Sequence, residues 1–304
     1  MKKLLFLIML LSTGFGCYAQ QDPKFSQFFI SGLGYNPAYA GSRDALSGVL
    51  FYRTQWVGIE GGPKTYFFQG HSPVSKNFSV GLNAMHDRVG IFTTNHLFLS
   101  GAYRLELNEG NLQFGMHGGF RNYDADLSKV TTFIPGDPSF TGRVNSWKPN
   151  VGVGLYYFSE RLKLSLSAPY LIKENLKTTN ADGTSIKTEQ DQHVFLGGAY
   201  IFDVSETLKF RPGALVKYVK DAPLQMDLNA AFIYDDVFLF GATLRNVETL
   251  SAIFQIWPQS NWYMGYSYDY SINGLNPYNR GSHEIYIGFD LGVKRSLAQS
   301  PRYF

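Results

Sequence analysis

Residues 224–234 read LQMDLNAAFIY. Leu224, Met226, Leu228, Ala230 and Phe232 fall on one face of an extended chain, and Gln225, Asp227, Asn229, Ala231 and Ile233 on the other. Side chains of a strand point alternately to opposite faces, so a period of two predicts one apolar and one polar face. The same reading holds at 78–87, where Phe78, Val80, Leu82 and Ala84 oppose Ser79, Gly81 and Asn83. It holds again at 112–121, where Leu112, Phe114, Met116 and Phe120 oppose Gln113, Gly115, His117 and Arg121.

Working outward, the pattern predicts strands near 45–56, 64–71, 78–87, 94–106, 111–122, 147–158, 161–168, 191–202, 207–219, 224–234, 237–245, 249–257, 261–271 and 282–292. Many have the roughly 9–11 residues that a tilted strand needs to cross a bilayer. Backbone groups in lipid must pair within the protein, so such a sheet has to close on itself. The connections alternate in length. Links at 72–77, 107–110, 159–160, 203–206, 235–236 and 258–260 are short; those at 123–146, 169–190 and 272–281 are long. Short periplasmic turns and long outer loops mark an outer-membrane barrel, and a soluble sandwich has no reason to keep that parity. The expected fold is all-β: a transmembrane antiparallel barrel of about 14 strands over 45–292, with a periplasmic tail at 293–304.

The start of the chain supports export. Met1, Lys2 and Lys3 precede the apolar run Leu4–Leu11, and Cys17-Tyr18-Ala19 precedes Gln20. A basic start, a short apolar run and a small residue at the cut describe a secretory signal. Cleavage is expected after Ala19, in preference to a lipoprotein signal at Cys17. It removes the single Cys, leaving no thiol for a disulfide or a metal. It also takes the formal net charge from +3 to +1, so nothing favours nucleic acid as a partner. Residues 20–44 carry Phe25, Phe28, Phe29, Tyr35 and Tyr39 around Asn36-Pro37-Ala38. They are too apolar to hang in the periplasm, and a plug in the barrel mouth is the expected placement.

Reactive chemistry is sparse. His71, His86, His96, His117, His193 and His283 form no metal-ligand spacing and read as lumen or rim residues. His96 and Ser100 share a strand face but lie roughly 13 Å apart, too far for a nucleophile and its base. No enzyme activity, cofactor or metal is expected. Inward positions such as Asn83, Arg104, Arg121, Lys163, Arg211, Lys217, Asp227, Arg245, Glu284 and Asp290 mix both charges, which predicts a salt-bridged interior rather than a selective ring. Trp147, Trp257 and Trp262 are expected in interfacial girdles.

Several motifs in order resemble one family. They are Asp22–Gly41 (DPKFSQFFISGLGYNPAYAG), Tyr52–Gly58 (YRTQWVG) with Gly61-Gly62-Pro63, His71-Ser72-Pro73 and Asn150–Leu171 (NVGVGLYYFSERLKLSLSAPYL). Arg211-Pro212, Pro223–Asp227, Gly265–Asp269 and Gly281–Ile285 follow. Together they resemble the PorP/SprF family of type IX secretion system membrane proteins of Bacteroidota, over essentially the whole mature chain. The resemblance implies a non-enzymatic outer-membrane barrel of the secretion and gliding machinery. It would bind a secreted, adhesin-like surface protein through that partner's type IX C-terminal domain, assisting export or anchoring. Periplasmic ring lipoproteins and outer-membrane lipids are further implied partners. Interface anchors are commonly Tyr, Trp and Arg. The partner-binding candidates are therefore Tyr52, Arg53, Gln55, Trp56 and Gly58 at the end of the first strand, with Asn36, Pro37 and Tyr39 in the N-terminal segment. Trp56 serves equally as a girdle residue. The alternative is an uptake channel for hydrophobic small molecules, since the aromatic N-terminal segment and the strand count also resemble the fatty-acid transporter FadL.

Overall fold

The computed structural model describes residues 25–129, 142–179, 185–190, 192–220, 222–259 and 261–292. The expected signal peptide, its cleavage site and the tail at 293–304 lie outside the described residues, as do parts of the loops at 123–146 and 169–190.

Fourteen antiparallel strands form one closed barrel. They are β1 (Leu46–Thr54), β2 (Lys64–Pro73), β3 (Phe78–Val89), β4 (Phe92–Leu107), β5 (Gly110–Asp126), β6 (Arg143–Phe158), β7 (Leu162–Ala168), β8 (His193–Tyr200), β9 (Leu208–Val219), β10 (Gln225–Tyr234), β11 (Phe238–Arg245), β12 (Thr249–Gln259), β13 (Trp262–Ser271) and β14 (Ser282–Leu291). Each pairs with its neighbours in sequence, and the ring closes where β1 meets β14, from Leu46↔Leu291 to Thr54↔His283. Closure leaves no open edge around the ring, which is what hydrocarbon demands. The two-residue piece Phe202–Asp203 extends β8 along β9. A separate hairpin, Glu174–Thr179 with Ser185–Gln190, stands apart from the barrel sheet. It occupies what the sequence presents as one long connection.

The alternation is realised as wall geometry. In β10, Met226, Leu228, Phe232 and Tyr234 are exposed on the outside, while Asp227, Asn229, Ala231 and Ile233 are buried inside. Short turns close one end. Asp235 and Asp236 both take left-handed φ, +51° and +53°, the geometry of a two-residue hairpin turn that matches strand twist. The long connections gather at the other end.

The interior differs from an all-polar lumen. Val49, Phe51, Phe67, Met85, Ala231, Ile233, Leu239, Ile253, Tyr263 and Tyr286 project inward and pack with Phe25 and Ile30 into an internal apolar core. Trp257 belongs to this core, only 6% exposed, rather than to a girdle. Trp147 and Trp262 are exposed outside, as expected.

Candidate functional site: the lumen segment and the long-loop rim

Residues Phe25–Asp44 lie inside the barrel, where almost every one is buried. They form one turn of α-helix (Gly32–Tyr35) and one of 3-10 helix (Pro37–Tyr39). Asn36 sets the second turn. Its Oδ1 accepts from Ala38 N at 2.8 Å, and Pro37 at the first helical position needs no N–H partner. The Asn36 amide also donates to Leu155 O and Ser165 Oγ, both at 2.8 Å, fastening the turn to β6 and β7. The wall makes room through a cross-strand glycine pair, Gly115 and Gly154. A Cβ on Gly115 would fall 2.2 Å from Ala38 N, and one on Gly154 would fall 1.9 Å from Asn36 Oδ1. Tyr39 packs edge-on against His71 and Tyr156, and burial pushes its hydroxyl pKa above the ordinary value.

The segment is held at both ends by charged groups: by hydrogen bonds to ion pairs of the wall at one end, and by ion pairs of its own at the other. Near the long-loop end, Arg53 pairs with Asp269 at 2.6 Å and Glu284 at 3.1 Å. Ser26 joins this cluster: its N donates to Glu284 at 2.9 Å, its Oγ donates to Asp269 at 2.7 Å, and Arg53 donates to that Oγ at 3.0 Å. Arg245 pairs with Asp227 at 3.0 Å and donates to Phe25 O at 3.0 Å. Near the short-turn end, Arg43 grips Asp290 with Nε and Nη2 (3.1 and 2.7 Å) and lies 4.7 Å over the Tyr263 ring. Arg104 pairs with Asp44 at 2.5 Å and donates to Gly41 O at 2.8 Å. Buried charges are tolerated when paired and hydrogen-bonded in this way.

The candidates from sequence therefore separate. Asn36, Pro37 and Tyr39 are buried in the lumen. Arg53 is 1% exposed and faces the lumen, one residue along from Tyr52, which faces outward with its ring 4.9 Å from that of Tyr66. Gln55, Trp56 and Gly58 lie in the connecting loop. Trp56 is half-buried at φ +52°, and its N donates to Ser282 Oγ at 3.1 Å. Gly58 sits at φ +100°, and a Cβ there would fall 4.0 Å from Arg280 Cγ.

That loop is laced to its neighbours. Val57 N donates to Gly281 O and Arg280 N to Val57 O, joining it to the β13–β14 loop. Gly90 N donates to Gly61 O, joining it to the β3–β4 turn, and Ile272 N donates to Glu248 O in the β11–β12 turn. The result is a continuous rim from β11 round to β3. It exposes Tyr278, Ile272, Leu275 and Val247. Val247 is 75% exposed at φ +57°, an unfavourable backbone conformation for a β-branched residue. The sequence reading missed these four. They fall in links between the expected strands, and nothing in the sequence marked their apolar side chains as surface. Among the described residues no group of three His, Cys, Asp or Glu is placed to hold a metal ion, and no helix is long and apolar enough to cross a membrane.

The family model for type IX secretion system membrane protein PorP/SprF matches residues 17–289. The chain belongs to the PorP/SprF family. Like others of its fold, this PorP/SprF barrel is similar to solved outer-membrane structures. The CymD monoaromatic hydrocarbon channel aligns at TM-score 0.53 with 13% identity, over 85% of this chain and 91% of that one. The Ralstonia pickettii toluene transporter TbuX aligns at 0.51 with 8% identity, over 85% and 92%. A Pseudomonas aeruginosa FadL homologue aligns at 0.50 with 11% identity, over 84% and 92%. At these identities the likeness is one of fold. No curated protein matches the PorP/SprF chain in sequence.

Proposed function

We propose that this PorP/SprF barrel holds a secreted surface protein for export or anchoring, through its long-loop rim, while Phe25–Asp44 serves as a plug that keeps the lumen closed. Signal cleavage after Ala19 and an outward-facing long-loop end belong to the same proposal. The observation that carries it is the occupied lumen. A segment tied to the wall by ion pairs at its short-turn end, and by hydrogen bonds to buried wall ion pairs at its long-loop end, suits a barrel whose work is done by its surfaces. The laced rim supports it further, because Trp56, Tyr278, Leu275 and Ile272 offer aromatic and apolar anchors on one connected platform. Arg53 is assigned to holding the plug rather than to touching the partner.

The test is mild-detergent purification from native membranes, with cargo identified and quantified. The double variant Trp56→Ala/Tyr278→Ala is expected to lose most of the copurifying surface protein while keeping a folded, heat-modifiable barrel. Deleting the gene is expected to remove one or a few surface proteins from the cell.

One observation favours a second reading, uptake of hydrophobic small molecules. The internal layer of Val49, Phe51, Phe67, Ile233, Leu239 and Ile253 would line an apolar path if the plug moved aside. Normal surface display in the deletion strain, together with impaired uptake of an apolar solute, would favour that reading and refute the first.

A further inference from the structure

The barrel wall keeps one strand edge open beyond the membrane, on the far side from the Trp56 rim. β6 has 16 residues and β7 only 7, so β7 covers just the lower part of β6, from Phe158↔Lys163 to Val153↔Ala168. Above that level the chain leaves the wall. Pro169 crosses inward over Gly152, where a Cβ would fall 2.3 Å from its carbonyl, and that carbonyl lies 2.7 Å from His117 Nε2. Tyr170 then buries inside, 4.3 Å beneath the Arg121 guanidinium. The departing chain makes one last backbone bond to β6, Leu171 N to Val151 O at 2.9 Å, and the Asn150 side chain bonds both N and O of Ile172.

The Val151 bond fixes which backbone groups face the vacated side. N–H and C=O groups alternate sides along a strand, so those of Trp147, Asn145 and Arg143 face away from β5, as does Pro149 C=O. Pro149 has no N–H to leave exposed at the level nearest the lipid. Above it the outer face turns polar: His86 bonds Asn95, Asn95 bonds Asn122, Asn122 bonds Asn145, and Asp124 bonds both Asn145 and Arg143. That polar row sets Arg143–Ser146 above the hydrocarbon, with the exposed Trp147 at the boundary. Beside it stands Glu174–Thr179, which among the described residues ladders with Ser185–Gln190 and not with the barrel sheet. The outward edge of Arg143–Trp147 thus forms one side of a slot at the long-loop end.

We infer that this slot receives an extended segment of the exported partner as an added β-strand, bonded to the outward edge of Arg143–Trp147. The chemistry that matches a row of unfilled backbone donors and acceptors is another backbone, and such strand addition is a general mode of peptide recognition. The side chains of Arg143, Asn145, Asn122 and Asp124 hold the β5–β6 extension in shape before anything docks. Trp147, beside the slot, supplies an apolar contact for one side chain of the incoming strand. This inference rests on the proposed function, and goes beyond it by naming a second surface and the form of the ligand.

Two measurements test it. The first uses the purified barrel alone in detergent, by hydrogen exchange. Asn145 and Trp147 amides are expected to exchange much faster than those of Ser146 and Lys148, which face β5; equal protection would mean the slot is already filled and would overturn the inference. The second uses cargo complexes from native membranes, with the photo-crosslinker p-benzoylphenylalanine placed at Asn145 or, for comparison, at Tyr278. The expected result is a cargo adduct at Asn145 mapping to one extended segment. Asn145→Pro, which removes an edge donor, should lower retained cargo about tenfold while the barrel stays heat-modifiable, and Trp147→Ala should lower it less. Cargo crosslinked at Tyr278 but not at Asn145, and retained by Asn145→Pro, overturns the slot while leaving the proposed function intact. An Asn145 adduct to this chain's own 174–190 hairpin also overturns it. Absence of any cargo from the wild-type complex overturns both.

Discussion

Replacing Arg43 by Leu should loosen the lumen segment at its short-turn end. Arg43 and Asp290 are both nearly inaccessible, and two guanidinium nitrogens meet the carboxylate at 3.1 and 2.7 Å. Hydrogen bonds to charged groups are worth about 1.5–3 kcal/mol each. Removing one partner of a buried pair costs roughly 3–5 kcal/mol, because the remaining charge is left in a poor solvent. Here Asp290 would keep only the Ser47 hydroxyl, at 2.6 Å. Arg43→Leu should therefore destabilise the barrel by about 3–4 kcal/mol. Asp290→Leu should cost a similar amount. The double variant should recover much of the loss, since neither charge is then stranded. By contrast, Arg161→Ala removes a half-exposed pair with Asp203 and should cost at most about 1 kcal/mol. Urea titration of protein refolded into vesicles, read by heat-modifiable gel mobility, gives all four values. Planar-bilayer recording should show higher conductance for Arg43→Leu as the segment loosens. Stability of Arg43→Leu within about 0.5 kcal/mol of wild type would refute the reasoning, since surface substitutions already fall within that range.

Three other outcomes are expected. Gly115→Ala places a methyl against Ala38 N and should destabilise by about 1–3 kcal/mol through overpacking, with a rise in conductance; an unchanged urea midpoint would count against the close approach. Leu82→Arg, on the lipid face, should reduce insertion by the roughly 2–4 kcal/mol expected of a midplane Arg. Asn83→Arg should insert but disturb the segment near Leu33, whose carbonyl Asn83 contacts at 3.4 Å; equal insertion defects would place the wrong face in lipid. In whole cells an impermeant maleimide should label Tyr278→Cys and leave Ser75→Cys unlabelled until the cells are permeabilised, and the reverse pattern would invert the proposed orientation.

The sequence carried the barrel clearly because its central strands meet two different solvents. Leu228 faces lipid and Asn229 faces the interior, so alternation stays sharp and strand ends fall within a few residues of the observed ones. It blurred wherever the two faces meet similar surroundings. In β1 the inner residues Val49 and Phe51 are as apolar as the outer Leu50, because the inner face packs against Phe25 and Ile30 rather than water. Trp257 was expected in a girdle and lies inside, because near strand ends both faces accept aromatic residues and composition no longer tells them apart. Above the lipid, Asn95, Asn122 and Asn145 make the outer face polar too, so β4, β5 and β6 run beyond the ends that alternation marks. The inward turn at Pro169-Tyr170 depends on Gly152 and His117, which lie on other strands and give no local signal.

The two anchors of the lumen segment are unequal in a way that bears on both functional readings. At the long-loop end the charges pair mainly within the wall. If Ser26 and Phe25 left, Arg53 would keep Asp269 and Glu284, and Arg245 would keep Asp227. At the short-turn end one member of each pair belongs to the segment itself. Departure of Arg43 and Asp44 would strand Asp290 and take the carboxylate from Arg104. Stranding a buried charge is the costly event, whereas exchanging a neutral hydroxyl for water or for another donor is cheap by comparison. The segment is therefore held hardest at Arg43–Asp44, next to the point where it runs into β1, and more lightly at Phe25–Gln27. Displacement is therefore expected to begin at the long-loop end, the same end that carries the Trp56 rim and the β6 edge. A polypeptide arriving there meets the lightly held part and can replace the Ser26 and Phe25 contacts with backbone and side-chain groups of its own. A small apolar solute can replace only the Phe25 and Ile30 packing and offers nothing to Asp269 or Glu284. The distribution of charge along the lumen thus supports the proposed protein partner over the alternative of a hydrocarbon.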